Sequence, residues 1–95
     1  MEYGGTVRST PKLQMAEPVH DYIVRVTYED GLTAEVELGY LTSGGPVFEP
    51  LRDPAYFRRL RASRAANTIT WPNGADIAPE TLYTAAETAR QAVGS

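Results

Sequence analysis

Two alternating runs of apolar and polar residues, joined by Glu29-Asp30-Gly31, constrain the fold of this chain more than any other feature. Apolar side chains occupy every second position on both sides of the link, which is the period of a β-strand with one buried face. They are Tyr22, Val24, Val26 and Tyr28 before the link, and Leu32, Ala34, Val36 and Leu38 after it. The pattern therefore predicts a β-hairpin.

The length of the hairpin loop decides its register. A two-residue Asp-Gly turn would place Val26 opposite Glu35 and bury a charge. A three-residue loop instead places Val26 opposite Ala34 and keeps the apolar side chains on one face. It also sets Arg25 across from Glu35, where opposite charges attract. Because a slip by one residue inverts every side chain, we predict the three-residue loop, with Gly31 in the left-handed conformation.

The remaining elements are shorter. Residues 11–17 begin with Pro and alternate in polarity, which predicts an edge strand, and residues 18–21 are expected to turn the chain. Asp53-Pro54 begins a short helix, because Asp can cap the free amides and Pro fits the first turn. Residues 68–71 are β-branched and aromatic and predict a strand. Residues 79–93 carry the apolar stripe of a second helix.

The predicted order is β-β-β-α-β-α. This is an α+β fold, a small and mostly antiparallel sheet of about four strands with two helices. We expect residues 1–10 to form a flexible lead-in and residues 11–93 to form a single domain. Neither the first strand nor the strand at 68–71 carries a run of protective lysines at a sheet edge. We therefore expect weak self-association into a homodimer through one of them.

Composition and charge exclude several classes of protein. The 95 residues include no cysteine, so disulfides and thiolate metal sites are excluded. No apolar run approaches the roughly 18 residues that a membrane helix needs, and the start lacks the pattern of a signal peptide, so we expect a cytoplasmic protein. The net charge of −3 argues against general affinity for nucleic acid, which requires many cations.

Two motifs carry a resemblance to a known family. The first reads Gly-Pro-Val-Phe-Glu-Pro-Leu-Arg-Asp-Pro at residues 45–54, and the second reads Trp-Pro-Asn-Gly-Ala-Asp at residues 71–76, with a helix opening at Pro79. Together with the first strand and the hairpin with its Asp-Gly tip, residues 11–83 resemble bacterial domain of unknown function family 2442 (DUF2442). One departure is Ala78, where the family often has a helix-capping Asp or Ser, at a cost of about 1 kcal/mol.

The resemblance implies a compact α+β domain that occurs alone or joined to a helix-turn-helix domain. It brings no established active site. Stand-alone members often lie beside small proteins of another family, which suggests the regulatory or antitoxin-like half of a two-gene pair.

The loop of the second motif has two interpretations. In the structural one, Trp71 packs into the core, Asn73 and Gly74 make the turn, and Asp76 bonds loop amides. In the functional one, the loop lines a cleft and Asp76 is an acid, a base or a ligand. Turn chemistry alone explains these residue types, so the structural interpretation is favoured.

The basic residues are distributed unevenly. Five of the nine fall in one short segment: Arg52, Arg58, Arg59, Arg61 and Arg64. The helical period predicts Arg58 and Arg61 on one side of the first helix, with few acids to neutralise them. The segment is either a solvated helix face or the surface for an anionic partner, and it is the candidate partner surface.

Other constellations do not predict chemistry. His20 and Asp21 are neighbours on an extended chain, so their side chains point to opposite faces and cannot form a dyad by adjacency. One histidine and scattered carboxylates do not make a metal site. We therefore predict no catalytic residue, no metal and no cofactor.

These observations lead to a ranked set of hypotheses. The first is a non-catalytic bacterial module that binds a small protein partner, as a regulatory or antitoxin-like member of a two-gene pair. The second is a nucleic-acid-associated module that uses the arginine cluster. The third is an enzyme with Asp76 in a cleft.

Overall fold

The computed structural model describes residues 10–94. Residues 1–9, nearly all of the predicted lead-in, lie outside the described residues. The elements are β1 (Leu13–His20), β2 (Ile23–Tyr28), β3 (Thr33–Glu37), two 3-10 helices (Gly39–Ser43 and Pro46–Arg52), α1 (Pro54–Phe57), β4 (Arg61–Ser63), β5 (Thr68–Thr70) and α2 (Pro79–Gly94). The predicted α+β class is confirmed.

The hairpin has the predicted register. Val24 lies opposite Val36, and Arg25 lies opposite Glu35. The loop is closed by the Tyr28 amide, which donates to the Leu32 carbonyl at 2.8 Å. Gly31 has a φ of 95°, a left-handed value that favours glycine. The predicted three-residue loop is therefore confirmed. Only this loop length puts every apolar side chain of the two strands on the core face.

β1 is longer than the sequence predicted. The strand runs through Pro18 to His20 and pairs antiparallel with β2, and the turn follows at Asp21, which has a φ of 48°. Proline is tolerated here because β1 is an edge strand and needs no amide on its outer side. The pairing is irregular between Pro18 and His20, which accommodates the ring.

The sheet is divided, unlike the single sheet of about four strands that the sequence predicted. β1, β2 and β3 form a three-stranded sheet in that order, and β4 and β5 form a separate two-stranded sheet. β5 therefore pairs with β4, which lies inside the predicted polar link, and does not flank the hairpin. On its other side, Thr70 forms a bridge with Asp76. Both edges on which the expectation of a homodimer rested thus have neighbours: β5 is paired, and β1 packs beside β4.

One side chain joins the two sheets. Asn67 has a φ of 58°, and its carboxamide is used at both ends. The amide of Leu13 donates to Asn67 Oδ1 at 2.8 Å, and Asn67 Nδ2 donates to the carbonyl of Pro11 at 3.0 Å. The carboxamide therefore takes the place of a neighbouring strand at the start of β1.

The core lies between the hairpin, α1 and α2. Phe57 is fully buried and contacts two other rings, Tyr22 edge-on at 4.8 Å and Trp71 at 5.7 Å between centroids. From α2, Leu82 and Ala86 are fully buried. No helix among residues 10–94 combines the length and the apolar character needed to cross a membrane.

A polar contact holds α2 to the hairpin tip. The Tyr83 hydroxyl donates to the carboxylate of Asp30, which also accepts from the Leu32 amide at 3.0 Å. These bonds hold the pKa of Asp30 below its ordinary value, and the bond to Asp30 raises the pKa of Tyr83 to about 12. The Tyr83 ring also packs edge-on against Tyr28 at 4.8 Å, where burial raises the pKa of Tyr28 above its ordinary range.

Candidate functional site

The candidate partner arginines extend over several elements. Arg52 ends the second 3-10 helix, Arg58 and Arg59 follow α1, Arg61 begins β4, and Arg64 lies in the turn after β4. All five are exposed. They are called the arginine surface below, and its members are Arg52, Arg58, Arg59, Arg61 and Arg64.

The predicted helical alignment of Arg58 and Arg61 is wrong. α1 ends at Phe57, and the next apolar residue, Leu60, is buried. From there the chain is extended, because Arg61 pairs with Thr70 in the ladder between β4 and β5. The two arginines therefore come from the end of a helix and from a strand, so the helical period does not align them.

The arginine surface has few internal partners. Arg52 Nε donates to the carbonyl of Thr42 at 3.3 Å, and the guanidinium of Arg59 lies 5.7 Å from the centre of the Tyr56 ring. Within residues 10–94, no carboxylate lies within ion-pair distance of any of the five arginines. The guanidiniums therefore retain their capacity to bind carboxylates or phosphates in two-pronged fashion.

Arg25 shows the opposite arrangement. Its guanidinium lies between two carboxylates on neighbouring strands, 3.0 Å from Glu17 and 2.8 Å from Glu35. The hydrogen bond to Glu35 raises the pKa of Arg25. This ladder of charges crosses the solvent face of the three-stranded sheet, so Arg25 is not part of the arginine surface.

A groove lies beside Arg64. It has a volume of about 220 Å³ and is lined by Lys12, Leu13, Gln14, Glu29, Arg64 and Asn67. The Glu29 carboxylate accepts from the backbone amide of Lys12 at 3.3 Å. The Glu29 side chain thus lines the groove together with Lys12 and Arg64 at this end of the arginine surface.

The loop of the second motif has a structural role. Trp71 is buried, and its Nε1 donates to the Phe57 carbonyl at 2.9 Å. Asn73 Oδ1 accepts from the Ala75 amide at 3.1 Å, and Gly74 has a φ of 92°. The role predicted for Asp76 belongs to Asn73. Asp76 is exposed and contributes its backbone to the bridge with Thr70.

The two motifs contact each other. Asn73 Nδ2 donates to the carbonyl of Val47 at 2.9 Å. The sequence signal for this contact was the Asn-Gly turn, but turn chemistry does not indicate what the free end of the carboxamide will bind. Nearby, Tyr40 and Val47 are large apolar residues with 56% and 44% of their surfaces exposed.

The described side chains do not gather into a metal site. Among residues 10–94, no three metal-ligating groups come together. His20 Nδ1 lies 3.3 Å from Asp21 Oδ2, and both side chains are exposed. The adjacent pair is thus closer than the extended-chain argument predicted, because the left-handed Asp21 turns its side chain back.

Comparisons with known proteins give a family and a fold neighbour. A family model described as "Protein of unknown function (DUF2442)" matches residues 15–88. A crystal structure of a Nitrosomonas europaea protein described as a "Putative DNA Binding Protein" is similar over 90% of this chain, with a TM-score of 0.72 and 25% identity. This chain spans 52% of that chain, about half of its length. No protein of curated function matches.

Proposed function

The chain belongs to the DUF2442 family of proteins of unknown function, and from that premise we propose that it is a non-catalytic binding module whose arginine surface holds an acidic protein partner. One observation carries the proposal. Five exposed arginines lie within a short segment of an acidic chain, and within residues 10–94 no carboxylate pairs with them.

The chemistry of arginine favours a partner with carboxylates. A planar guanidinium donates two parallel hydrogen bonds to a carboxylate, and it does so with less loss of hydration than an ammonium. Eight of the nine basic residues are Arg. A protein with several Asp or Glu side chains on one face would offer carboxylates to these separate guanidinium groups.

The overall charge favours protein over nucleic acid. The chain carries −3 at neutral pH, so a polyanion is repelled at long range before the arginines can contact it. A protein partner presents only a local acidic patch and avoids much of that repulsion. In the setting that the family suggests, the partner is the small product of the neighbouring gene, and this chain is the regulatory or antitoxin-like member of the pair.

Nucleic acid is the second candidate, and the description of the Nitrosomonas europaea neighbour favours it. About half of that chain lies outside the region that this chain spans, so the described binding can belong to either half. Phosphate binding by the arginine surface would release counterions, and its affinity would fall steeply with salt.

The test is co-expression of the full chain with the product of the adjacent gene, followed by affinity capture. The double variant Arg58→Glu, Arg61→Glu is expected to abolish capture while the stability changes by less than about 0.5 kcal/mol, as exposed substitutions usually do. A matched pair separates local from global charge, because Arg58→Glu and Arg90→Glu change the net charge equally. We expect Arg58→Glu to weaken capture and Arg90→Glu to leave it unchanged.

Three outcomes would contradict the proposal. Normal capture by the double variant would mean that the arginine surface is solvent-exposed but does not bind the partner. Equal loss in the matched pair would mean that net charge alone matters. Recovery of nucleic acid instead of the neighbouring protein, with binding that weakens as salt rises, would favour the second candidate.

A further inference from the structure

The outer side of β3 presents unused backbone groups. In the hairpin, the Tyr28 amide donates to Leu32, and the Leu38 amide donates to Tyr22. Because the direction of backbone groups alternates along an antiparallel strand, Ala34 and Val36 also face β2. The amides and carbonyls of Thr33, Glu35 and Glu37 therefore face away from the sheet. These three residues are called the β3 edge below.

The β3 edge is regular, unlike the opposite edge of the sheet. No backbone hydrogen bond joins the β3 edge to another part of residues 10–94. At the opposite edge, the Leu13 amide is bonded to Asn67, Pro18 has no amide, and the ladder is irregular at two places. Of the two edges of this sheet, as residues 10–94 form it, the β3 edge is therefore the one that offers a new strand a continuous row of donors and acceptors.

From this geometry we infer that the β3 edge accepts an added strand from a protein segment with basic side chains at alternate positions. Strand addition of this kind obtains affinity from backbone hydrogen bonds and specificity from alternate side chains. The inference concerns a second surface, of opposite charge to the arginine surface, and does not depend on the proposed function.

Charge selects the occupant. The exposed side chains of β3 are Thr33, Glu35 and Glu37, and the row continues across the sheet face through Arg25 to Glu17. Glu17 and Glu35 thus flank the one guanidinium, and Glu37, whose carboxylate accepts from the Gly39 amide at 3.0 Å, adds a third negative charge to the face. A second copy of this chain, paired two-fold about Glu35, would place Glu35 opposite the Glu35 of that copy, and like charges directly opposite are destabilising. A strand with Lys or Arg at every second position would place cations opposite them.

The test uses the full chain and a synthetic heptapeptide that alternates Lys and Val, with blocked ends. Amide hydrogen exchange is measured by NMR with and without the peptide. The expected result is increased protection of the amides of Thr33, Glu35 and Glu37, with little change at Ala34 and Val36, which already face β2. A peptide in which Glu replaces Lys is expected not to bind.

A pair of protein variants separates backbone pairing from charge attraction. Glu35→Gln and Glu35→Pro remove the same charge, but only Pro removes the outward amide, and edge strands tolerate Pro. We expect Glu35→Pro to bind the Lys-Val peptide about tenfold more weakly than Glu35→Gln, as the loss of one hydrogen bond implies.

A pair of modified peptides keeps the test valid if Glu35→Pro fails to fold. One carries N-methyl groups on its Lys residues and the other on its Val residues. Only one set of amides can face β3, so one peptide should lose binding and the other retain it. Equal binding by both would overturn the inference. So would protection confined to the arginine surface, or protection of the β3 edge by concentration-dependent dimerisation without peptide.

Discussion

Truncation of Trp71 tests how the second motif holds the core. Its ring is 3% exposed and lies 5.7 Å from the ring of Phe57, and its indole nitrogen donates to the Phe57 carbonyl at 2.9 Å. Replacement of a buried Trp by Ala typically costs about 3–5 kcal/mol. Because a domain of this size is stable by only about 5–15 kcal/mol, Trp71→Ala should remove at least about a fifth of the stability.

Trp71→Phe separates the indole hydrogen bond from the packing of the ring, and Val24→Ala gives a comparison at another buried position. Trp71→Phe keeps an aromatic ring against Phe57 but removes one of the two hydrogen bonds that the Phe57 carbonyl accepts, at a cost of about 0.5–1.5 kcal/mol. The other bond, from the Leu60 amide at 3.2 Å, remains. Val24→Ala removes two methyl groups from another fully buried position and should cost less than Trp71→Ala. The order of stability should be parent, Trp71→Phe, Trp71→Ala.

The assay is urea unfolding followed by circular dichroism, since Trp71 is the only tryptophan and its fluorescence is lost in Trp71→Ala and Trp71→Phe. The slope of the free energy against urea should stay constant, so that the midpoints report stability. If Trp71→Ala unfolds at the urea concentration of the parent, the core role of Trp71 is wrong. If Trp71→Phe matches the parent, the indole hydrogen bond contributes nothing.

Two further predictions concern polar side chains. The lowered pKa of Asp30 contributes stability that is fully present above its unfolded pKa of 3.8 and is lost as the pH falls through the folded pKa. The raised pKa of Tyr83 contributes stability that is fully present below its unfolded pKa of 10.0 and is lost as the pH rises through about 12. Tyr83→Phe should therefore lower the melting temperature near neutral pH and approach the parent at both extremes, and a constant difference across the pH range would contradict this. Asn67→Gly keeps the left-handed backbone and loses two hydrogen bonds, at a cost of about 2 kcal/mol. Asn67→Ala should cost about 1–2 kcal/mol more, because its backbone is strained. Thermal melts that do not separate the two variants would contradict the need for a left-handed residue at this position.

The hairpin could be predicted from sequence because a register shift by one residue would move every apolar side chain to the opposite face. One loop length places eight apolar side chains on the core face, where seven are buried and Tyr22 is partly buried. The alternative buries a charge, so the energy gap between the two registers is large. The turn at Asn73 and Gly74 was predictable for a similar reason, since few residues adopt a positive φ at low cost. In both cases the local preference, alternation in the strands or a positive φ in the turn, agrees with the overall fold.

β4 could not be predicted, because it is stabilised by its neighbours rather than by its own sequence. Arg-Ala-Ser has low β-propensity, and the strand forms where β5 and β1 lie beside it. This also explains the error at Arg61, which was placed on a helix that ends at Phe57. Within the candidate site, the cluster of arginines was visible in the sequence, but its shape was not.

The bonds of Asn67 were also hidden, because they are long-range. Its carboxamide binds backbone atoms that lie 54 and 56 residues away in the sequence. No local pattern marks such partners. The β3 edge was not predicted, because the sequence indicated a single sheet of about four strands, whereas β5 pairs with β4 in a separate sheet.

The two long-range hydrogen bonds of the Asn67 side chain, called the clamp below, have a consequence for the order of folding events. These bonds close a very large loop, which is entropically costly until both ends are already held in place. We expect the clamp to form after the rate-limiting step, so that Asn67→Gly leaves the refolding rate nearly unchanged and accelerates unfolding. A side chain that contributes little to reaching the native state would then set how long the native state lasts.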